Sequence, residues 1–256
     1  MAKLKALIMG LSGALFVLSP GLAADEQKSL IPGSFSANVG LFSDYTFRGA
    51  SQTRNLPAVQ GGIDWSLDTG MHGIGVYLGA WGSNVNFNDG DNAQVEIDAY
   101  GGLTKKFGPV DAKAGFIRYN YPGAASTFNY DFTEGTLGLS SEIAPGVTVG
   151  LNYNGTTQFQ LKAGTAHYVM GSVGYKVPIK MLDLTLNGTI GHQSIEKNDV
   201  WGTPDYWDWK IGATAALTSN ISITAFYTDT DLSKAECFSG TNLCDARGQI
   251  GITAAF

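Results

Sequence analysis

Between Phe35 and the last residue, Phe256, apolar and polar residues alternate one by one in twelve separate stretches. Such alternation gives an extended strand one face for an apolar medium and one for a wet one. The last stretch is representative. Ala246, Gly248, Ile250, Ile252, Ala254 and Phe256 are small or apolar, and Arg247, Gln249 and Thr253 between them are polar. A strand that stops flush on an aromatic residue fits the interface ring of a membrane barrel and the signal its assembly requires.

The opposite end of the chain agrees. Lys3 and Lys5 precede a largely apolar run from Ala6 to Leu18, too short to span a bilayer, followed by Gly21-Leu22-Ala23. This predicts a secretory signal peptide over 1–23, cut after Ala23 with Ala24 as the other candidate, then a short segment over 24–33 and the barrel over 34–256. Losing two lysines takes the net charge from −6 to about −8, which argues against nucleic acid as a partner. No other stretch nears the 18 or so apolar residues of a membrane helix. Charged residues make up 15% of the chain and Gly is frequent, as alternating lipid-facing strands require.

Connection lengths order the strands. Asp68–Gly70, Lys105–Pro109, Glu142–Gly146, Val177–Lys180 and Thr218–Asn220 are short; Arg48–Leu56, Asn84–Asn92, Pro122–Phe128, Gly155–Gly164, Gln193–Pro204 and Asp231–Asp245 are longer. Short turns on one rim and long loops on the other define an antiparallel up-and-down transmembrane β-barrel, all-β, with both termini at the inner rim. Eleven residues at about 3.3 Å each, tilted about 45°, span about 25 Å, the height of the apolar belt. The first strand is expected to run from Phe35 to Phe47. The fifth is expected to change parity at a bulge near Phe116, turning Ile117, Tyr119 and Tyr121 outward.

Parity assigns the lumen. Asp64, Glu96, Asp98, Tyr100, Asp111, Lys113, Arg118, Glu134, Asp183, Asp208, Lys210 and Arg247 are expected to line it, with Asp44 and Arg48 toward the outer mouth. Such groups could select ions in a wet pore, or pair into salt bridges that brace a narrow one. Tyr77 and Trp81 are also expected inward, packing over glycines or stacking sugars. The lipid face is expected to carry no charge. Tyr45, Phe47, Tyr119, Tyr121, Tyr153, Trp207, Trp209 and Tyr227 are expected to form an outer aromatic girdle, and Trp65, Tyr175 and Phe256 an inner one.

Other chemistry is weakly encoded. Cys237 and Cys244, in an exported chain with no nearby His, are expected to form a disulfide. His167 is expected outward without a serine level with it and His192 inward, and no G-x-S-x-G occurs, so an enzyme is not expected. Asn88–Asn92 lacks the spacing and terminal Glu of a calcium loop, and neither metal nor cofactor is expected.

Several segments carry a family likeness: Ser43-Asp44-Tyr45-Thr46-Phe47-Arg48-Gly49 with Ser51-Gln52, Pro57–Gly62, Gly79–Val85, Glu96–Gly102 and Tyr119–Gly123. Over roughly Phe35 to Ser140 the chain resembles the TorF-type porin family, uncharacterised exported proteins of proteobacteria. The cysteine pair lies outside that likeness. The resemblance implies an outer-membrane barrel without established functional residues. The sequence thus points to an outer-membrane porin for passive diffusion of small hydrophilic solutes, with mild cation preference. Its partners would be outer-membrane lipid, lipopolysaccharide and the barrel-assembly machinery. The alternatives are a non-conducting structural or adhesive barrel that binds a partner through its external loops, and, more weakly, a lipid hydrolase.

Overall fold

A computed structural model describes residues 9–11, 14–16, 31–87, 89–91, 93–179 and 181–256. The expected cleavage site after Ala23 falls outside them. Met9–Leu11 and Ala14–Phe16 pair as a short antiparallel ribbon apart from the main body.

Twelve antiparallel strands close into a barrel: β1 (Ser34–Phe42), β2 (Ala58–Asp68), β3 (Ile74–Asn84), β4 (Val95–Phe107), β5 (Val110–Asn120), β6 (Phe132–Ala144), β7 (Val147–Thr156), β8 (Ala166–Val177), β9 (Asp183–Ile195), β10 (Tyr206–Ala216), β11 (Ile221–Thr230) and β12 (Arg247–Ala255). Each pairs with its neighbours in sequence, and β12 closes on β1 over five residue pairs from Gly251↔Phe42 to Ala255↔Asn38. Phe256 extends the seam: its N–H donates to the Ala37 carbonyl at 2.8 Å, and the Ala37 N–H donates back at 3.1 Å. Closure leaves no sheet edge, the condition for strands to cross a bilayer.

Alternation holds around the ring. Val39, Ile63, Leu78, Leu103, Leu137, Leu151, Ile190, Ile211 and Ile252 are exposed on the outer face, while their sequence neighbours face the lumen. An apolar belt around a closed antiparallel barrel is the build of an outer-membrane protein. Inner-rim turns are tight; Gly108, at φ +58°, makes the reversal between β4 and β5.

Three parity expectations are corrected. The β4–β5 register runs unbroken from Phe107↔Val110 to Ile97↔Asn120, without a bulge near Phe116. The irregularity lies instead at Glu142/Ala144 of β6. Phe116 is therefore outward, at 68% exposure, and Ile117, Tyr119 and Tyr121 are buried inside. Aromatic residues next to an apolar one mimic a parity change because the lumen here is itself aromatic. Strand β1 stops at Phe42, and Tyr45 and Phe47 are buried within the barrel rather than set in a girdle. Finally, His192 faces outward, its ring 4.7 Å from that of Trp207, because Gly191 and Gln193 on either side of it take the inward positions.

Candidate functional site: a loop across the lumen

The 43–57 segment (loop 1) turns inward instead of extending the outer rim. Asp44 starts it. Its carboxylate accepts from the Ser51 and Thr53 hydroxyls at 2.6 and 2.7 Å and from Arg247 Nη1 at 3.0 Å. These bonds clamp the two limbs of the loop to each other and to β12. Thr46–Phe47 and Ala50–Ser51 then form a two-stranded ribbon joined by Arg48-Gly49. Both turn residues have positive φ, +48° and +81°, as the common two-residue hairpin turn demands. Gly49 is needed twice over, since a Cβ there would lie 2.4 Å from Thr230 Cγ2 and 2.9 Å from Asp208 Cβ.

The tip reaches across the lumen. The Tyr45 hydroxyl donates to Glu96 of β4 at 2.9 Å, and the Tyr45 ring lies edge-on to Trp81 of β3, 5.3 Å away. Arg48 Nη2 pairs with Glu134 of β6 at 2.6 Å, and Nη1 donates to Gln193 of β9 at 2.6 Å. The Tyr206 hydroxyl of β10 donates to the Arg48 carbonyl at 3.0 Å. The guanidinium lies over the rings of Phe47 and Tyr168, 4.5 and 4.4 Å from their centroids. Glu134 also accepts from the Tyr119 hydroxyl and the Asn154 amide, each at 3.2 Å, and is fully buried. Burying a charge is tolerable only with partners of this kind.

The segment spanning 231–246 (loop 6) covers loop 1 from outside. Cys237 and Cys244 are disulfide-bonded with their Cα atoms 5.9 Å apart, and they are buried against Ala50. The Ser51 N–H donates to the Leu243 carbonyl at 2.9 Å, and Thr230 Oγ1 donates to the Cys244 carbonyl at 3.0 Å. Aromatic rings fill the outer half of the lumen: Tyr119 stacks on Phe132 at 4.3 Å, and Phe132 meets Phe159 at 4.8 Å. Inward of the tip lies a chamber of about 150 Å³ with Thr46, Arg48 and Gly49 as its roof. Asp111, Lys113, Ser140, Asn152, Ser172, Thr189 and Lys210 are among its walls.

The other residues expected in the pore divide by place. Asp64 accepts from the Tyr100 hydroxyl at 2.7 Å. Tyr100 lies over Gly79, where a Cβ would be 2.3 Å from its ring, and Tyr77 lies likewise over Gly102 and Gly115. These inward aromatics pack over bare backbone. Lys113 sits 3.9 Å from the Tyr77 ring centre, and Lys210 sits 4.3 Å from that of Phe226. Asp208 accepts from the Tyr168 hydroxyl at 3.2 Å. At the inner rim Asp111 pairs with Lys106, and Asp183 pairs with Lys176 at 3.0 Å. Asp98 is 7% exposed, and its Oδ1 is buried without a hydrogen-bond partner among the described residues.

Arg118 is a correction. It projects from the outer face near the outer rim, paired with Asp131 at 3.2 Å, because β5 keeps its parity. With Asp229 and Lys105 it also corrects the expectation of an uncharged exterior; all three stand near strand ends, where long side chains reach the interface. Asp44 and Arg48 lie inside rather than at the mouth. Ser194 is a further correction: it is outward and opposite His167 in the β8–β9 register. The His167 ring engages the Tyr153 hydroxyl, 2.7 Å from Nδ1. Asp89 and Asp91 tie the second outer loop to the third, through the Tyr130 hydroxyl and the Ala125 N–H.

A family model described as a bacterial protein of unknown function, Gcw_chp, matches residues 26–256. Comparison with curated proteins gave no match. Among solved structures, the KdgM porin superposes with a TM-score of 0.54 at 10% identity, covering 86% of this chain and 99% of that one. The NanC porin gives 0.52 at 11%, with coverage of 86% and 99%. The COG4313 outer membrane channel from Pseudomonas putida F1 gives 0.52 at 8%, with coverage of 92% and 99%. These likenesses concern the fold.

Proposed function

Because the chain belongs to the Gcw_chp family, whose function is unknown, we propose its activity from the lumen: it is an outer-membrane porin for small hydrophilic solutes in which loop 1 forms the constriction. The observation that carries this is the chamber with charged and polar side chains among its walls, roofed by a loop tip that side chains hold rather than by a strand of the wall. A side-chain-held loop can move while the barrel's ladders stay intact. The fold shared with KdgM and NanC supports the reading, as does a KdgM structure in complex with disordered oligogalacturonate. The TorF-type name is part of the same proposal, as are contact of the belt with lipid and lipopolysaccharide and recognition of Phe256 by the assembly machinery. No enzymatic step is assigned.

The pore would favour cations modestly. With Arg118 outside, the inward set keeps Asp64, Glu96, Asp98, Asp111, Glu134, Asp183 and Asp208 against Lys113, Lys210 and Arg247. Asp44 and Arg48 add one charge of each sign. Carboxylates in a narrow lumen focus potential and attract cations. Planar-bilayer recording of refolded protein across a salt gradient tests this. The reversal potential should show cation preference, and Glu96→Gln with Asp98→Asn should reduce it. Anion selectivity in the wild type would refute the electrostatic reading.

A second reading has its own observation. The aromatic filling of the outer half, together with the buried Arg48–Glu134 pair, suits a non-conducting barrel whose outer loops bind a partner. Zero conductance in wild type and in loop 1 variants alike would select it.

A further inference from the structure

Building on the porin reading, we propose that the constriction is a receptor for one organic cation, a guanidinium or primary ammonium on a short aliphatic chain, and that loop 1 closes the pore by seating its own Arg48 there. Arg48 is held as a ligand would be. A carboxylate, an amide oxygen and two π faces surround its guanidinium: Glu134, Gln193, Phe47 and Tyr168. Three of these four groups belong to the barrel wall and remain if the loop withdraws. Planar, weakly hydrated guanidinium suits such a set better than any anion or neutral solute.

The wall also carries more acceptor than Arg48 uses. Glu134 Oε1 and Asp98 Oδ1 are buried without a hydrogen-bond partner. Asp98, more than nine-tenths buried, stands between Trp81 of β3 and Tyr119 of β5 in the ladder register, and both rings face inward with it. A carboxylate flanked by aromatic rings is a recognised setting for an organic cation. Tyr45 and Phe47 of loop 1 pack on those two rings, at 5.3 and 5.8 Å, so an incoming cation and the seated loop compete for one space.

The closed loop is not at its ease. Arg48 holds φ +48° without being glycine, and its Nε is buried without a partner. A tethered ligand acts at an effective concentration on the order of millimolar. A free cation should therefore open wild-type protein only at comparable levels, and should bind more tightly once the tether is removed.

Full-length refolded barrel is titrated by calorimetry with butylguanidinium and with butylurea, a neutral molecule of similar shape. Arg48→Gln should bind butylguanidinium at least about tenfold more tightly than wild type does, and should ignore butylurea. Adding Asp98→Asn should weaken binding about tenfold. Gly49→Ala, which displaces the tip and leaves the three wall groups, Glu134, Gln193 and Tyr168, in place, should tighten binding in the same way and serves if Arg48→Gln does not fold. Equal affinity for the two probes, or no calorimetric binding by either displaced-loop variant, overturns the proposal. Bilayer recording separates the two levels: binding without current keeps the receptor and removes the porin reading, whereas current without binding does the reverse.

Discussion

Gly49→Ala tests whether loop 1 is a removable constriction. At φ +81° an L-residue is held in the left-handed region, which costs roughly 1–2 kcal/mol. The new methyl would stand 2.4 Å from Thr230 Cγ2, and overpacking of that kind adds roughly 1–3 kcal/mol. Together about 2–5 kcal/mol act against the seated tip, a shift of roughly 30-fold to several thousand-fold in its equilibrium. The barrel ladders contain no loop 1 residue, so the strands should stay folded. Trypsin reports the loop directly: Arg48 is buried and Arg54 is exposed, so cleavage after Arg48 requires the tip to leave. Gly49→Ala should be cut there and should show larger single-channel conductance. Thr230→Ser deletes the clashing methyl but keeps the Oγ1 bond to Cys244, so the double variant should recover part of the wild-type protection, a coupling that a mutant cycle measures. Unchanged protection and conductance in Gly49→Ala would show that the loop is a fixed part of the wall.

Replacing Cys237 and Cys244 by serine should free loop 6 and expose Ala50 beneath it. Loop-closure reasoning puts the loss at roughly 2–3 kcal/mol, read as faster proteolysis after Arg48 with the barrel still resistant to heat on gels. Deleting Phe256 removes two bonds of a seam only five residue pairs long, so assembly in cells should fall; unaltered folded yield would contradict the role given to the terminal residue. Phe116→Arg places a charge near mid-strand on the lipid face and should destabilise the barrel by about 2–4 kcal/mol in vesicle unfolding. Arg118→Ala, close to the rim, should change little, and the reverse ranking would invert the parity of β5.

Strand number, order and most facing directions were legible in the sequence because a lipid-exposed face tolerates almost nothing polar away from the rims. Ile63 against Asp64, or Ile97 against Glu96 and Asp98, leaves no choice of side. The errors fall where that contrast fails. Tyr119 and Tyr121 are aromatic and partly polar, equally at home in an interface girdle and in a crowded lumen, and Ala112, Ala114 and Gly115 just before Phe116 carry little facing information. His192 was misplaced for the same reason, since an imidazole beside Trp207 is compatible with either surface.

Loop 1 was misread for a deeper reason. Ser43 to Phe47 continues the alternation of β1, so local pattern alone extends the strand. The counter-signal is in the turn. Arg48-Gly49, followed by the small residues Ala50 and Ser51, allows a two-residue reversal with positive φ, and a reversal there cannot belong to a strand running on to the rim. Once the chain reverses, Asp44 is left with two hydroxyls and Arg247 to satisfy it, and Arg48 must find an acid. Glu134, on the inward face of β6, is the acid it meets. The unpaired charges of the wall and the unpaired charge of the loop thus determine one another. This follows from the cost of burying charge, and it is why a segment rich in polar side chains lies inside the barrel while apolar residues cover its outside.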